Sequence, residues 1–109
     1  GACAAELAAR LRGATGLGHV LPAVSGASAI ETALKLALVA RHPRRHVLAL
    51  KSGYGGKTLL ALAGTASPKY KERIDPLYPD VVYVDPFAAD AVDRLDAALT
   101  EHPVAVVQT

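Results

Sequence analysis

Residues Val20–Ala37, VLPAVSGASAIETALKLA, decide how this chain folds. Val20–Val24 reads as a short strand. Ser25-Gly26-Ala27-Ser28 is a turn with almost no side-chain bulk. From about Ala27 to Arg41 the pattern is helical, with Ile30, Ala33, Leu34, Ala37 and Leu38 on one stripe. Ser28 and Glu31 have the spacing of a capping box, Glu31 and Lys35 that of a favourable i,i+4 pair, and Pro43 stops the helix. A small-residue turn that opens a helix leaves backbone N–H groups and the positive end of the helix dipole facing an anion, a phosphate above all. The same residues also read as an ordinary capped helix with a tight entry turn.

One strand later comes a second small-residue turn, Ser52-Gly53-Tyr54-Gly55-Gly56. It follows the apolar run His46–Leu50, at the carboxyl end of a strand, where open α/β sheets bind ligands. An aromatic side chain flanked by glycines can stack on a flat ring with little obstruction, although it also fits an exposed tyrosine on a loop. The two turns together suggest a phosphorylated cofactor with a flat ring.

The remaining elements follow outward from this pair. Residues 2–12 form an Ala-rich helix carrying Leu7 and Leu11, ended by Gly13, Gly16 and Gly18. Thr58–Ala63 is a short helix, and Gly64–Asp80 an irregular excursion holding Pro68, Pro76 and Pro79. Val81–Val84 is a strand. Asp90 can cap a helix carrying Val92, Leu95 and Leu99, and a final strand follows Pro103. Strands alternating with helices predict an α/β fold of three layers, a mostly parallel sheet with helices on both faces. The chain opens inside a helical pattern without Met and closes on a buried-strand pattern. Both edges read as cuts through a longer protein.

The 109 residues are 51% hydrophobic and only 5% aromatic, which favours a core of Ala, Leu and Val. A net charge of +2 is too small to make nucleic acid or a membrane surface the main partner. The single cysteine, Cys3, excludes an intrachain disulfide and suits a reducing compartment, so a cytoplasmic location is expected. No signal peptide and no apolar run of about 18 residues is present.

Other motifs carry less. Gly56-Lys57-Thr58, with Val81–Asp85 downstream, invites a nucleotide-binding α/β module. However, a P-loop needs glycine five residues before Gly56, where Lys51 stands. Gly13-Ala14-Thr15-Gly16-Leu17-Gly18 follows a helix and opens a strand, the reverse of a dinucleotide fingerprint. Arg41, His42, Arg44, Arg45 and His46 cluster at a helix C-terminus, where cations complement the dipole. His19 and His102 have no partner at metal-ligand spacing, and no metal site is expected.

Taken together, Ser25–Ala37 and Lys51–Leu62, at their mutual spacing, resemble the phosphate-binding and aromatic-His-Gly-Arg/Lys-Thr/Ser-Leu segments of class III aminotransferases. These are pyridoxal-phosphate enzymes of fold type I, and the resemblance covers nearly the whole chain. It implies that residues 1–109 are part of the large cofactor-binding domain. Gly26 and Ala27 would then bind the cofactor phosphate through backbone N–H groups, with Ser25 shaping the turn. Tyr54 would stack on the pyridine ring, with Gly55 and Gly56 leaving room beside it. The implied reaction moves an amino group between an amino acid or amine, of the ornithine, diamine or omega-amino type, and a 2-oxo acid. A homodimer with active sites at the subunit interface is implied as well. Three positions depart from the family pattern: Ser28 where Glu is usual, Ile30 where Asn is frequent, and Gly55 where His is common. The lysine that bonds the cofactor matches none of Lys35, Lys51, Lys57, Lys69 and Lys71. It is expected further along, so no catalytic residue is assigned within this chain. A non-catalytic aminotransferase-like domain is the alternative that these departures leave open.

Overall fold

The computed structural model describes residues 1–109. Its elements run α1 (Ala2–Thr15), α2 (Gly26–Ala40), β1 (His46–Leu50), α3 (Leu59–Ala63), a 3-10 turn (Pro68–Tyr70), β2 (Val81–Val84), α4 (Ala91–Glu101) and β3 (Val104–Gln108). The three strands form one sheet in the order β2-β1-β3, and both pairings are parallel. Val47 pairs with Val81 on one side and Val106 on the other, with a register irregularity beside His46.

Successive side chains of a strand point to opposite faces. Val47, Leu48 and Ala49 are all fully buried, so both faces of β1 are covered. On one face Leu48 packs with Val84, Val104 and Ala98 of α4, with Leu50, Val82 and Leu95 around them. The other face is covered by α2 and α3: α2 lies against α3 and β3, and buries Leu34. The expected three-layer α/β arrangement is therefore present, with a wholly parallel sheet of three strands.

Four local expectations change. Val20–Val24 forms no strand; no sheet neighbour reaches it, so its backbone groups face solvent and Val24 is fully exposed. The first helix runs through Gly13 to Thr15 and ends at Gly16, whose φ of 73° is the left-handed cap that glycine adopts without strain. Ala33 of the α2 stripe is exposed, because the buried line runs through Ile30, Leu34 and Ala37–Leu38. Asp90 occupies the N-cap of α4, but its carboxylate accepts from Arg94 Nε at 2.8 Å and makes no cap bond.

Candidate functional site

The first turn is built by two serines. Ser25 is the N-cap of α2 in extended backbone, and its Oγ accepts the Ser28 N–H at 3.1 Å. Ser28 Oγ accepts the Ser25 N–H at 3.1 Å and lies 2.8 Å from Ser25 Oγ. The capping box is thus Ser25–Ser28, not Ser28–Glu31. Ser28 stands at the third helical position, where its hydroxyl can reach back. Both hydroxyls are turned on one another, so what the turn presents outward is backbone. The N–H groups of Gly26 and Ala27 have no partner in the chain. No acidic residue lies in the first helical turn to oppose an anion. A Cβ at Gly26 would meet no protein atom within 4 Å. Internal packing does not demand glycine there, and the space is open to an outside group.

The second turn leaves the carboxyl end of β1 and is pinned from behind. Gly53 N–H donates to the Leu50 carbonyl at 2.8 Å, and Ala66 N–H to the Gly53 carbonyl at 3.1 Å. Gly55 N–H donates to Thr65 Oγ1 at 3.0 Å, and that hydroxyl donates in turn to the carbonyls of Gly56 and Ala61. Gly55 and Gly56 are buried, while Tyr54 between its neighbours is 61% exposed. Tyr54 meets Tyr70 edge to face at 6.4 Å, and the ammonium groups of Lys57 and Lys69 lie over the Tyr70 ring.

The two turns touch. Gly56 has a φ of 131°, and a Cβ on it would sit 2.6 Å from Ala27 Cβ. Glycine is required here for both conformation and space. One helical turn beyond Ala27, Glu31 lies on the same side of α2. Its carboxylate accepts Thr58 Oγ1 at 2.7 Å, Ala61 N–H at 2.8 Å and Leu60 N–H at 3.2 Å. Partial burial by itself raises the Glu31 carboxyl. The hydrogen bonds from Thr58, Ala61 and Leu60 and the charge of Lys35 outweigh it, and hold the group below the ordinary carboxylate value.

Ser25, Gly26 and Ala27 thus share one turn, and Tyr54 and Gly55 lie on the turn packed against it. Three contributors escaped the sequence reading. Glu31 was visible as a charged helix residue, but nothing local shows that it reaches another helix. Thr65 carries no motif. Gln108, only 8% exposed, lies between Gly55 and Gly64, and a Cβ at either glycine would collide with its amide. Its Oε1 has no hydrogen-bond partner. Gly55, where His is common in the resembling family, is therefore the residue that admits Gln108.

A cavity of about 610 Å³ lies under the Pro-rich excursion between Lys51, Lys71, Asp75 and Tyr83, and neither turn lines it. Buried Lys71 donates there to the Ala63 carbonyl and the Tyr83 hydroxyl. The parts of the nucleotide-binding reading are engaged elsewhere: Thr58 Oγ1 donates to Glu31, and Asp85 Oδ1 accepts its own Phe87 N–H. No group of three or more His, Cys, Asp and Glu side chains could hold a metal ion, and no helix is long and apolar enough to cross a membrane.

Residues 2–107 match the profile of the aminotransferase class-III family. An acetylornithine/succinyldiaminopimelate aminotransferase of Photorhabdus laumondii is 36% identical over 106 residues, 93% of this chain and 26% of that protein. An acetylornithine aminotransferase of Thermosynechococcus vestitus is 35% identical over 82 residues, 71% of this chain and 20% of that protein. In fold, the chain superposes with a TM-score of 0.78 on the ornithine aminotransferase of Toxoplasma gondii, in a structure described as having partial occupancy of PLP at its active site. That likeness covers 94% of this chain and 25% of the other, at 24% identity. The chain spans about a quarter or less of the length of these proteins. With the profile matching almost end to end, this chain belongs to the class-III aminotransferase family.

Proposed function

We propose that this chain is the cofactor-cradling part of a pyridoxal-phosphate transaminase that moves an amino group between an ornithine-type or other omega-amino donor and a 2-oxo acid. The observation that carries this reading is the contact between the two turns. Two unpartnered N–H groups at the start of α2 stand against a turn that exposes an aromatic ring. Gly26 and Ala27 hold the phosphate through backbone N–H groups. Ser25 locks the turn, Tyr54 covers the ring, and Gly55 and Gly56 keep the backbone close. These residues fit the group on three grounds: open space at Gly26, no acid in the first helical turn, and exposure of Tyr54. When bound, the cofactor supplies the electron sink for the amino-acid chemistry. This chain's residues bind and orient it, and the lysine that bonds it lies in a segment outside residues 1–109. The family, and its acetylornithine and acetylornithine/succinyldiaminopimelate aminotransferase relatives, support the substrate class. A cytoplasmic homodimer completes the reading.

The test is cofactor uptake by the intact protein, followed by absorbance and by dialysis equilibrium. Gly26→Asp places a carboxylate in the open space at the start of α2, against the phosphate. It is expected to weaken pyridoxal-phosphate binding at least tenfold, and to abolish amino transfer from ornithine or acetylornithine to 2-oxoglutarate. Wild-type protein that takes up no cofactor, or Gly26→Asp protein that binds it unchanged, overturns the reading.

A further inference from the structure

The two halves of the proposed cradle sit on different elements, one on α2 and the other between β1 and α3. Hydrogen bonds hold each half to its own surroundings. The phosphate turn is closed by Ser25 and Ser28, and the ring turn is pinned to Leu50, Thr65 and Ala66. Between α2 and residues 51–66, every hydrogen bond passes through one carboxylate, that of Glu31. The other ties are packing: the van der Waals contact of Ala27 with Gly56 and the contact of α2 with α3.

We infer that Glu31 is a positioning residue which fixes the ring turn on the phosphate turn, so that the ring and phosphate contacts are made together. The inference rests on the cradle reading above and adds to it a residue that touches neither part of the cofactor. The geometry is that of a clamp. Ala27 and Glu31, four residues apart, lie on one side of α2. Ala27 meets the turn at Gly56, and Glu31 grips it two to five residues later, at Thr58, Leu60 and Ala61. The negative charge of Glu31 is directed at three donors, not at the anion site one helical turn away. Bonds donated to a charged acceptor are roughly twice as strong as neutral ones, so three of them make a stiff link. Without it the ring turn remains folded on Thr65 and the sheet, and apolar packing alone holds it on α2, so that it can shift there. The phosphate contacts survive while the ring contact is lost.

The test uses the intact protein and two ligands, pyridoxal phosphate and inorganic phosphate. Glu31→Ala is expected to raise the Kd for pyridoxal phosphate at least tenfold, with the Kd for inorganic phosphate changed less than twofold. Glu31→Gln keeps an acceptor oxygen and is expected to recover part of the loss. Thr58→Val removes one of the three bonds from the other side. It is expected to weaken cofactor binding several-fold, and it carries the test if Glu31→Ala does not fold. Amide hydrogen exchange at Leu60 and Ala61 is expected to accelerate in Glu31→Ala, with the α2 amides unchanged. Equal losses for both ligands mean that Glu31 merely supports α2, and overturn the inference. So does unchanged cofactor binding in Glu31→Ala and Thr58→Val when wild-type protein binds normally. Wild-type protein that takes up no cofactor overturns the cradle itself, and the inference with it.

Discussion

At the residue scale, Gly56 and Gly55 are small for different reasons, and the difference is measurable. Gly56 adopts a backbone conformation that L side chains rarely reach, and it presses on Ala27. Gly56→Ala therefore meets both strain and collision and is expected to cost about 1–3 kcal/mol in urea unfolding. Ala27→Gly should relieve only the collision and leave the backbone strain unrestored. Gly55 has no such conformation; what opposes a side chain there is the Gln108 amide and the Ala61 carbonyl. Gly55→Ala is expected to destabilise in the presence of Gln108 and much less in a Gln108→Ala background. The double-mutant cycle should give a coupling of about 0.5–3 kcal/mol. Additive losses would show that Gln108 is not what excludes a side chain at position 55. Gln108→Ala alone should be mild for a buried polar residue, since its Oε1 has no partner to lose.

At the scale of elements, α2 carries its own cap and α3 borrows one. Ser25→Ala removes the hydroxyl that accepts the Ser28 N–H and is expected to cost about 1 kcal/mol by thermal unfolding. The five-residue α3 is too short to be stable by itself, and Thr58 makes no side-chain cap bond to it. Glu31 caps it from α2, and this makes the junction acid-sensitive. The folded-state Glu31 carboxyl lies below its ordinary value of 4.5, so its stabilisation is fully present above that pH and is lost as pH falls through the lowered folded value. Lys35 on α2 and Tyr78 on the Pro-rich excursion share the neighbouring cavity. Comparing urea midpoints above and below about pH 4.5 checks this: wild type is expected to lose more stability than Glu31→Gln, and equal losses would contradict it.

At the scale of the whole molecule, the chain is open. Its Cα radius of gyration is 15.7 Å, against about 13 Å for a compact domain of this length. Its accessible surface is 7429 Å², against roughly 5,700 Å² for a folded monomer of this mass. Helix α1 buries none of its residues, and Leu7, Leu11, Leu17, Leu21 and Val24 are exposed along it and the segment after it. Hydrogen exchange on the 109-residue chain is expected to find α1 amides nearly unprotected and β1 amides the slowest. Sedimentation should show self-association driven by this apolar surface. Protected α1 amides together with a single monomeric boundary would contradict both expectations.

Periodicity and turn chemistry were enough to read α2, β1, α3, β2, α4 and β3 within a residue or two, because each carries its own apolar pattern or stop signal. They were enough for the Ser25–Ala27 and Tyr54–Gly55 turns too, since small residues at a strand or helix end are written locally. Val20–Val24 shows the limit of that method. Its apolar run is strand-like, but a strand exists only where a neighbour accepts its hydrogen bonds, and none stands beside it. The same limit hid the partners of Glu31. Read locally, Glu31 fits a capping box with Ser28 and an ion pair with Lys35. Only the packing of α2 on α3 brings Thr58 and two amide groups within reach, about thirty residues away. The sequence by itself determined the α/β elements and the two turns, because each rests on contacts within a few residues. The tertiary structure alone decided that Gly56 seats one turn on the other, that Gln108 fills the space beside Gly55, and that Glu31 joins the halves, because those are contacts between segments that only folding brings together.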